Sequence, residues 1–562
     1  MQLLASYRAT KFLTLVALLT CASRGAAAPP TSTELTKIGL AALRAALGDN
    51  APTGAGISVT QVESPQSGVE SQYFVNTALA DFTGKTITAK QTPATTSTHA
   101  TNVAQNFYGN SGIAPGVTTI DVYEANRWLD SSFLRKLSPL APRVEYRKIQ
   151  NHSWIANFTV DGQTDVAAAV DVLRRIDYVV NRDGVVVVAG VNNGTASTIP
   201  QILGNAYNVI AVGRSDGGGS LGPSTADVIG RSKPDIVAPG VNTSVSTSWV
   251  SGAAALLLEA AGTNSAASRP ATIKALLMAG ASKKAFDLDA ATPTTLDDWS
   301  RTPTQPLDDR YGAGQLDVYR SYQILAAGQQ GPGTLAEVAI NGWDAGTIPS
   351  GQELTYYFTV PANHVLADLS VLATWNRQID FTPGVGSQAA TLTPSLANVD
   401  IHLYRSSGFI KGSLVDESVS NIDNVEHVFQ RVLGPGQYMI SVTTDATADF
   451  SLAWGGQLYL AGDSNFDGRV DGVDYLAWAN NFKANGKAYW QGDFDLNGVV
   501  DGADYILWAN NFSSSSSAAM PQTMLSAAAV PEPSTLGLIA VGCLSTIAYV
   551  GFQRRRRSPT SR

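Results

Sequence analysis

The stretch D-V-A-A-A-V-D-V-L-R-R-I-D-Y-V-V-N-R-D-G-V-V-V-V-A-G-V-N-N-G (Asp165 to Gly194) carries two patterns in succession. From Asp165 to Arg182 the apolar residues recur every three or four positions, which predicts an amphipathic helix. It runs into Val185 to Ala189, an all-apolar, β-branched run. A strand with no polar face is covered on both sides, as in a parallel sheet flanked by helices. Ile57 to Val62 and Val209 to Val212 read as further strands of that sheet. An α/β domain is therefore expected from about residue 51 to 328, with its ligands at the carboxyl ends of the strands.

The chain of 562 residues is long enough for roughly three or four domains. A net charge of −8 argues against a nucleic-acid partner, because phosphate backbones select basic surfaces. Only two cysteines occur, Cys21 and Cys543, each inside a terminal apolar stretch. The globular part can thus use neither disulfides nor thiolate chemistry.

Residues 331–460 alternate apolar and polar residues in short runs: Leu354 to Val360, Val399 to Tyr404, Gln437 to Val442 and Phe450 to Trp454. Glycine and proline turns separate them, which predicts an antiparallel β-sandwich. His364, His402 and His427 are scattered through it and read as ordinary strand and loop residues.

An internal repeat at an offset of 30 residues follows, in G-D-S-N-F-D-G-R-V-D-G-V-D-Y (from Gly462) and G-D-F-D-L-N-G-V-V-D-G-A-D-Y (from Gly492). Counted from the first aspartate, oxygen side chains fall at positions one, three, five, nine and twelve of each loop. These are Asp463, Asn465, Asp467, Asp471 and Asp474, then Asp493, Asp495, Asn497, Asp501 and Asp504. Calcium wants six to eight oxygens, and such spacing wraps the chain around one ion per loop. The carbonyls of Arg469 and Val499 would complete each set, and Gly468 and Gly498 stand at the sharp turn of position six. Helical composition follows at Tyr475 to Phe482 and Tyr505 to Phe512. The expectation is two calcium ions in a small α-helical module over 461–513, folding with its metal.

The ends read as addresses. Residues 1–28 have a charged start at Arg8 and Lys11, a short apolar run and small-residue cleavage options, as in a signal peptide. Residues 29–50 read as a linker with some helix. Beyond a serine-rich spacer (514–529) stands V-P-E-P-S-T (Val530 to Thr535), then an uncharged span from Leu536 to Phe552 and the arginines Arg554 to Arg557. That span predicts a C-terminal transmembrane helix, with the arginines holding its end in the cytoplasm.

Four resemblances follow from these residues. The Pro-Glu-Pro, apolar span and arginine cluster of 530–557 resembles the PEP-CTERM sorting signal, which implies export to the cell envelope. The paired loops resemble a type I dockerin, which implies a cohesin-type partner and an association with polysaccharide breakdown. Loop positions ten and eleven, Gly472-Val473 and Gly502-Ala503, would carry recognition. The run G-P-G-Q-Y-M-I-S-V (Gly434 to Val442) looks like the late strand of pre-peptidase C-terminal domains.

The fourth covers most of the first domain. G-V-V-V-V-A-G-V-N-N-G (Gly184 to Gly194), Y-N-V-I-A-V-G (Tyr207 to Gly213), K-P-D-I-V-A-P-G (Lys233 to Gly240), N-T-S-V-S-T-S-W-V-S-G-A-A-A-L-L-L (Asn242 to Leu258) and Y-G-A-G-Q-L-D-V (Tyr311 to Val318) resemble the subtilisin-type serine proteases. So do H-A-T-N-V-A (His99 to Ala104) and G-I-A-P (Gly112 to Pro115). The resemblance implies Ser244 as nucleophile, His99 as general base and Asn192 as oxyanion donor, with Asn193 as the alternative one position on. The orienting carboxylate falls on Glu63 in V-T-Q-V-E-S (Val59 to Ser64), where the family has aspartate.

Several departures count against activity. Glu63 is one methylene longer, so the backbone has to retreat by roughly an ångström, a misplacement able to cost on the order of a hundredfold in rate. The link from Ala-Pro-Gly to Thr243 is only Val241 and Asn242, which is expected to hold the serine short of its pocket. Asn242, Ser248 and Trp249 replace the glycine, proline and histidine of the serine motif, and Ala100 and Asn102 replace residues of the histidine motif. Two functions are therefore in view: an exported serine endopeptidase acting on protein or peptide, or a catalytically degraded scaffold that docks to cohesin or polysaccharide-associated partners.

Overall fold

The computed structural model describes residues 29–195, 197–286, 288 and 298–515. The signal peptide expected at 1–28, the spacer from 516 and the sorting tail with its membrane span at 530–557 lie outside the described residues. Among the described residues, no helix is long and apolar enough to cross a membrane.

Seven strands form one sheet: β1 (Ser58–Glu63), β2 (Thr86–Ala89), β3 (Thr119–Glu124), β4 (Ile149–His152), β5 (Val186–Gly190), β6 (Ile210–Arg214) and β7 (Ile236–Ala238). Their order is β7-β6-β5-β4-β1-β3-β2, and every pairing is parallel. Alternation along the strand sends successive side chains to opposite faces. Val186 and Val188 enter the core on one side, while Val185, Val187 and Ala189 enter the core on the other.

Two short helices, α1 (Ser32–Lys37) and α2 (Leu40–Leu47), precede the sheet. They are not a loose linker: Ile38, Leu40 and Leu43 are wholly buried in the main core. Helix α3 (Thr98–Phe107) follows β2, and α4 (Val166–Asp183) covers the second face. The limits of α4 have local causes. The Asp165 carboxylate accepts from the Ala168 N–H, and Gly184 closes the helix in the left-handed region at φ 64°. Helix α5 (Thr243–Ala261) runs through the first core beside the sheet, carrying Ser, Ala and Gly where its neighbours come close. A β-carbon on Gly252 would stand 2.6 Å from Ile113.

Between Gly342 and Leu460 lie two four-stranded antiparallel sheets. One is ordered Gly342–Ile348, Ala448–Leu460, His364–Trp375, Val425–Leu433, and the other Glu353–Val360, Gly436–Thr444, Val399–Ser407, Ile410–Ser418. Trp375, Trp454, Tyr356 and Phe358 fill the space between them. His364, His402 and His427 lie on separate strands.

A buried ionic cluster joins this sandwich to the first domain. Arg377 Nε donates to Asp177 at 2.9 Å, and its guanidinium also pairs with Asp227, which receives Arg174 at 3.0 Å. The backbone of Arg377 is held by Asn208 and Asn181. Removing one partner from a buried pair leaves an uncompensated charge, so Arg377→Met should destabilise the protein by about 3–5 kcal/mol. Chemical denaturation checks this; an unchanged midpoint would count against the cluster as the joint.

Candidate active site

The carboxyl ends of the central strands meet the N-terminus of α5, and the polar groups gather there. Glu63 is the last residue of β1 and wholly buried. His99 opens α3, behind the Ser97 cap, with its side chain 40% exposed. His99 Nδ1–H donates to Glu63 Oε2 at 2.7 Å, and the Ser244 hydroxyl donates to His99 Nε2 at 3.0 Å. Desolvation lowers the His99 pKa, but the Glu63 charge and hydrogen bond outweigh it and hold the imidazole above its ordinary value.

The two departures that argued against assembly do not prevent it. With its extra methylene, the Glu63 carboxylate still reaches the imidazole, at 2.7 Å. The short link reaches because Ser246, one turn into α5, ties it down. Ser246 Oγ donates to Ala238 O at 2.8 Å and accepts from the Gly240 N–H at 3.2 Å. Asn242, in place of glycine, is the helix N-cap and accepts from the Val245 N–H at 2.9 Å. Ser248 bonds its own helix, and Trp249 is buried with Nε1–H donating to Asn106. Those replacements are packing solutions inside α5, away from the hydroxyl.

The two asparagines differ in their partners. Asn193 Oδ1 accepts from both the N–H and the hydroxyl of Thr243, at 2.8 and 3.1 Å, so it holds the start of the helix. Asn192 is pinned through its backbone to Ser220, and its side-chain nitrogen donates to no group among the described residues. The first turn of α5 has a second free donor. Thr243 N–H goes to Asn193, Val245 N–H to Asn242 Oδ1 and Ser246 N–H to Asn242 O. Ser244 N–H finds no acceptor among the described residues, at the positive end of a 19-residue helix. An open N–H at the start of a helix, on the residue whose hydroxyl meets an imidazole, is suited to a developing oxyanion.

Sequence reasoning missed three residues of the site. Ser153 bonds the nucleophile's backbone, its hydroxyl donating to Ser244 O at 3.0 Å, and its carbonyl, 3.3 Å from Ser244 Oγ, is the alternative acceptor for the Ser244 hydroxyl's one proton. Gln61 Nε2 donates to Glu63 Oε1 at 2.8 Å, and the Tyr108 hydroxyl donates to Gln61 Oε1. Burial, then the Glu63 charge, raises the Tyr108 phenol well above its ordinary value, so it stays protonated. The signal was present: polar residues inside buried strands, at Gln61 and at Asn151-His152-Ser153.

The acidic repeat forms a second candidate site. Gly468 and Gly498 adopt φ 89° and 88°, which the turn at position six demands. Each donates its N–H, at 2.9 Å, to the first aspartate of its loop, Asp463 or Asp493. Asp474 and Asp504 fold back onto the loops through Ser464 and Phe494 N–H. Carboxylate oxygens of Asp493, Asp495 and Asp504 lie within 4.8 Å of one another. Burial pushes Asp463 up to about 7, against a hydrogen bond from Gly468. This all-oxygen set fits a hard divalent cation.

The helices begin earlier than predicted, as α6 (Gly472–Asn481) and α7 (Gly502–Asn511), because Asp471 and Asp501 are N-caps in reciprocal boxes with Asp474 and Asp504. The module also extends past 513, since Ser513 and Ser514 pair with Val470 and so are not free spacer.

Residues 60–314 match the Subtilase family, and residues 529–557 match the PEP-CTERM protein-sorting motif. The chain thus carries a subtilase-family domain and a C-terminal signal for export and envelope sorting. No curated protein matches it. Among solved structures, it is similar to the prenylagaramide maturation protease PagA, at 20% identity, 50% of this chain, 98% of that one and a TM-score of 0.35. The serine protease of Aeromonas sobria aligns at 13% identity over 72% of this chain and 89% of its own, with a TM-score of 0.32. The MycP3 protease of the type VII (ESX-3) secretion system aligns at 16%, 53% and 89%, with a TM-score of 0.33.

A raised His99 pKa has a measurable sign. The imidazole accepts a proton only when neutral, so Ser244 reactivity should rise with pH through a midpoint above the ordinary histidine value of about 6.5. Glu63→Gln removes the charge that raises it and leaves desolvation, so the midpoint should fall, with a rate loss of about 10³–10⁴. Fluorophosphonate labelling rates against pH measure both. A midpoint that stays put would contradict the Glu63 assignment.

Proposed function

We propose that this chain is an exported serine endopeptidase that cleaves peptide bonds through an acyl-enzyme on Ser244. What supports the reading is the unbroken chain Ser244 Oγ, His99, Glu63, with Ser244 N–H and the Asn192 side-chain nitrogen as donors that have no acceptor among the described residues. His99 Nε2 takes the hydroxyl proton as Oγ attacks the scissile carbonyl, and Glu63 stabilises the imidazolium that forms. The oxyanion falls to Ser244 N–H and Asn192 Nδ2. His99 then returns the proton to the leaving amine, and water repeats the sequence on the ester. Ser153, bonded to the nucleophile's own backbone, keeps Ser244 oriented.

The paired loops, in this reading, each hold one calcium ion. Asp463, Asn465, Asp467, Asp471 and Asp474 serve one, and Asp493, Asp495, Asn497, Asp501 and Asp504 the other, with the carbonyls of Arg469 and Val499. The metal would neutralise carboxylates that otherwise repel and so stabilise the module. A cohesin-type protein is the proposed partner of this module, supported by exposed apolar side chains on its two helices: Val473, Leu476 and Ile506 are each more than half exposed.

A fluorophosphonate probe should label the wild type and not Ser244→Ala. Equal labelling of the two would remove the peptidase and leave the degraded scaffold. Asn192→Ala should lower kcat by about 10²–10³ with the protein still labelled. Calorimetry on the full chain should give two calcium-binding events, reduced to one by Asp493→Ala combined with Asp504→Ala. No heat from wild-type protein would end the calcium assignment.

A further inference from the structure

We infer that Gln61 and Tyr108 are positioning residues that adapt this site to a glutamate in place of an aspartate. The inference rests on the peptidase reading above and explains how that reading survives its main departure. A glutamate reaches further than an aspartate, but it has an extra rotatable bond, and a carboxylate free to turn does not fix an imidazole. Here both oxygens are occupied. Oε2 takes the His99 Nδ1–H at 2.7 Å, and Oε1 takes the Gln61 Nε2–H at 2.8 Å.

Gln61 lies two residues before Glu63 on β1, so strand alternation puts both side chains on the same face. Its amide has only one workable orientation. Nε2 donates to Glu63 and to Ala100 O, at 2.8 and 2.9 Å, while Oε1 accepts from the Tyr108 hydroxyl. Turning the amide over would set Oε1 against two acceptors and lose both donations. Ala100 is the residue after His99, so this amide ties the carboxylate to the backbone of the helix that carries the imidazole. Tyr108, at the far end of α3, fixes the amide from the other side.

Gln61, Glu63, Ala100 and Tyr108 are all fully buried. No bulk water can replace a lost bond, and an incomplete buried network is costly. The arrangement fixes the separation of β1 and α3 at the point where the acid meets the base. Neither Gln61 nor Tyr108 touches Ser244 among the described residues; both act through Glu63.

The test is a double-mutant cycle read by kcat and KM on a peptide substrate, with thermal midpoints alongside. Gln61→Met should lower kcat roughly tenfold to hundredfold, as expected for a catalytic group misplaced by about an ångström, with KM nearly unchanged. Tyr108→Phe, which removes one hydroxyl, should lower kcat about fivefold in the wild type and not at all in the Gln61→Met background, because it acts through that amide. A kcat unaltered by Gln61→Met overturns the inference. So does a Tyr108→Phe loss of the same size in both backgrounds, which would mark the hydroxyl as merely stabilising. Should Gln61→Met not fold, Tyr108→Phe alone decides: a kcat equal to wild type overturns the proposal. A wild type no more reactive than Ser244→Ala fails at the earlier step, taking the peptidase reading and this inference together.

Discussion

A carboxylate with no access to water sits at the end of the central strand, and the site is organised around the cost of keeping it charged. Burying an ionised group is unfavourable unless it is paired and hydrogen-bonded. Glu63 meets that condition with one imidazole N–H and one amide N–H. The Glu63 charge and its bond to Nδ1 raise the basicity of His99, whose other ring nitrogen meets Ser244. Charge compensation and alignment are thus one arrangement. A residue able to satisfy only the first would leave the imidazole free to turn.

The nucleophile is fixed by a different means, from the end of a helix. Asn193, Asn242 and Ser246 consume the N–H groups or anchor the turn around Ser244, whose own N–H has no acceptor among the described residues. Selective satisfaction of a helix terminus is what leaves such a donor open to an anion in the proposed reaction. The rest of α5 is held by close packing, with Gly252 against Ile113 and Trp249 bonded to Asn106. The body of the helix is thus held by packing, while its first turn is held by the residues before it, Asn193 binding Thr243 and Asn242 capping the helix.

Much of this was legible in the sequence, for physical reasons that differ by residue. Val185 to Ala189 could only be a strand covered on both faces, and Asp165 and Gly184 are the residues that start and stop a helix; the observed limits follow them. The positions of His99, Glu63 and Ser244 came from resemblance, not from periodicity. What could not be read was reach. Whether two residues suffice between Gly240 and Thr243 depends on Ser246 bonding backward to Ala238, a contact between an element and its own approach. Which asparagine anchors Thr243 likewise depends on a contact across the fold, made by Asn193. The helices after the acidic loops start ahead of Tyr475 and Tyr505 because Asp471 and Asp501 are caps as well as candidate ligands, a double role that composition alone does not reveal.

The acidic module and the sandwich are packed as one structure, and this bears on how the module presents itself. Asn363 of the sandwich and Asn511 of α7 exchange amide hydrogen bonds at 2.7 and 2.9 Å, and Val365, Ala367 and Tyr459 pack against Tyr489 and Phe494. Within the module the two halves lock symmetrically. Trp478 donates to Asp501 O and Trp508 to Asp471 O, each indole crossing to the N-cap of the other helix. Gly462 and Gly492 permit that crossing, since a β-carbon there would stand 2.8 or 2.6 Å from the tryptophan backbone. The indoles and the sandwich thus take up one side of α6 and α7, and Val473, Leu476 and Ile506 are left on the other. Asp471 and Asp501 are thus at once loop residues, helix caps and indole acceptors, so each acidic loop is hydrogen-bonded to the far helix.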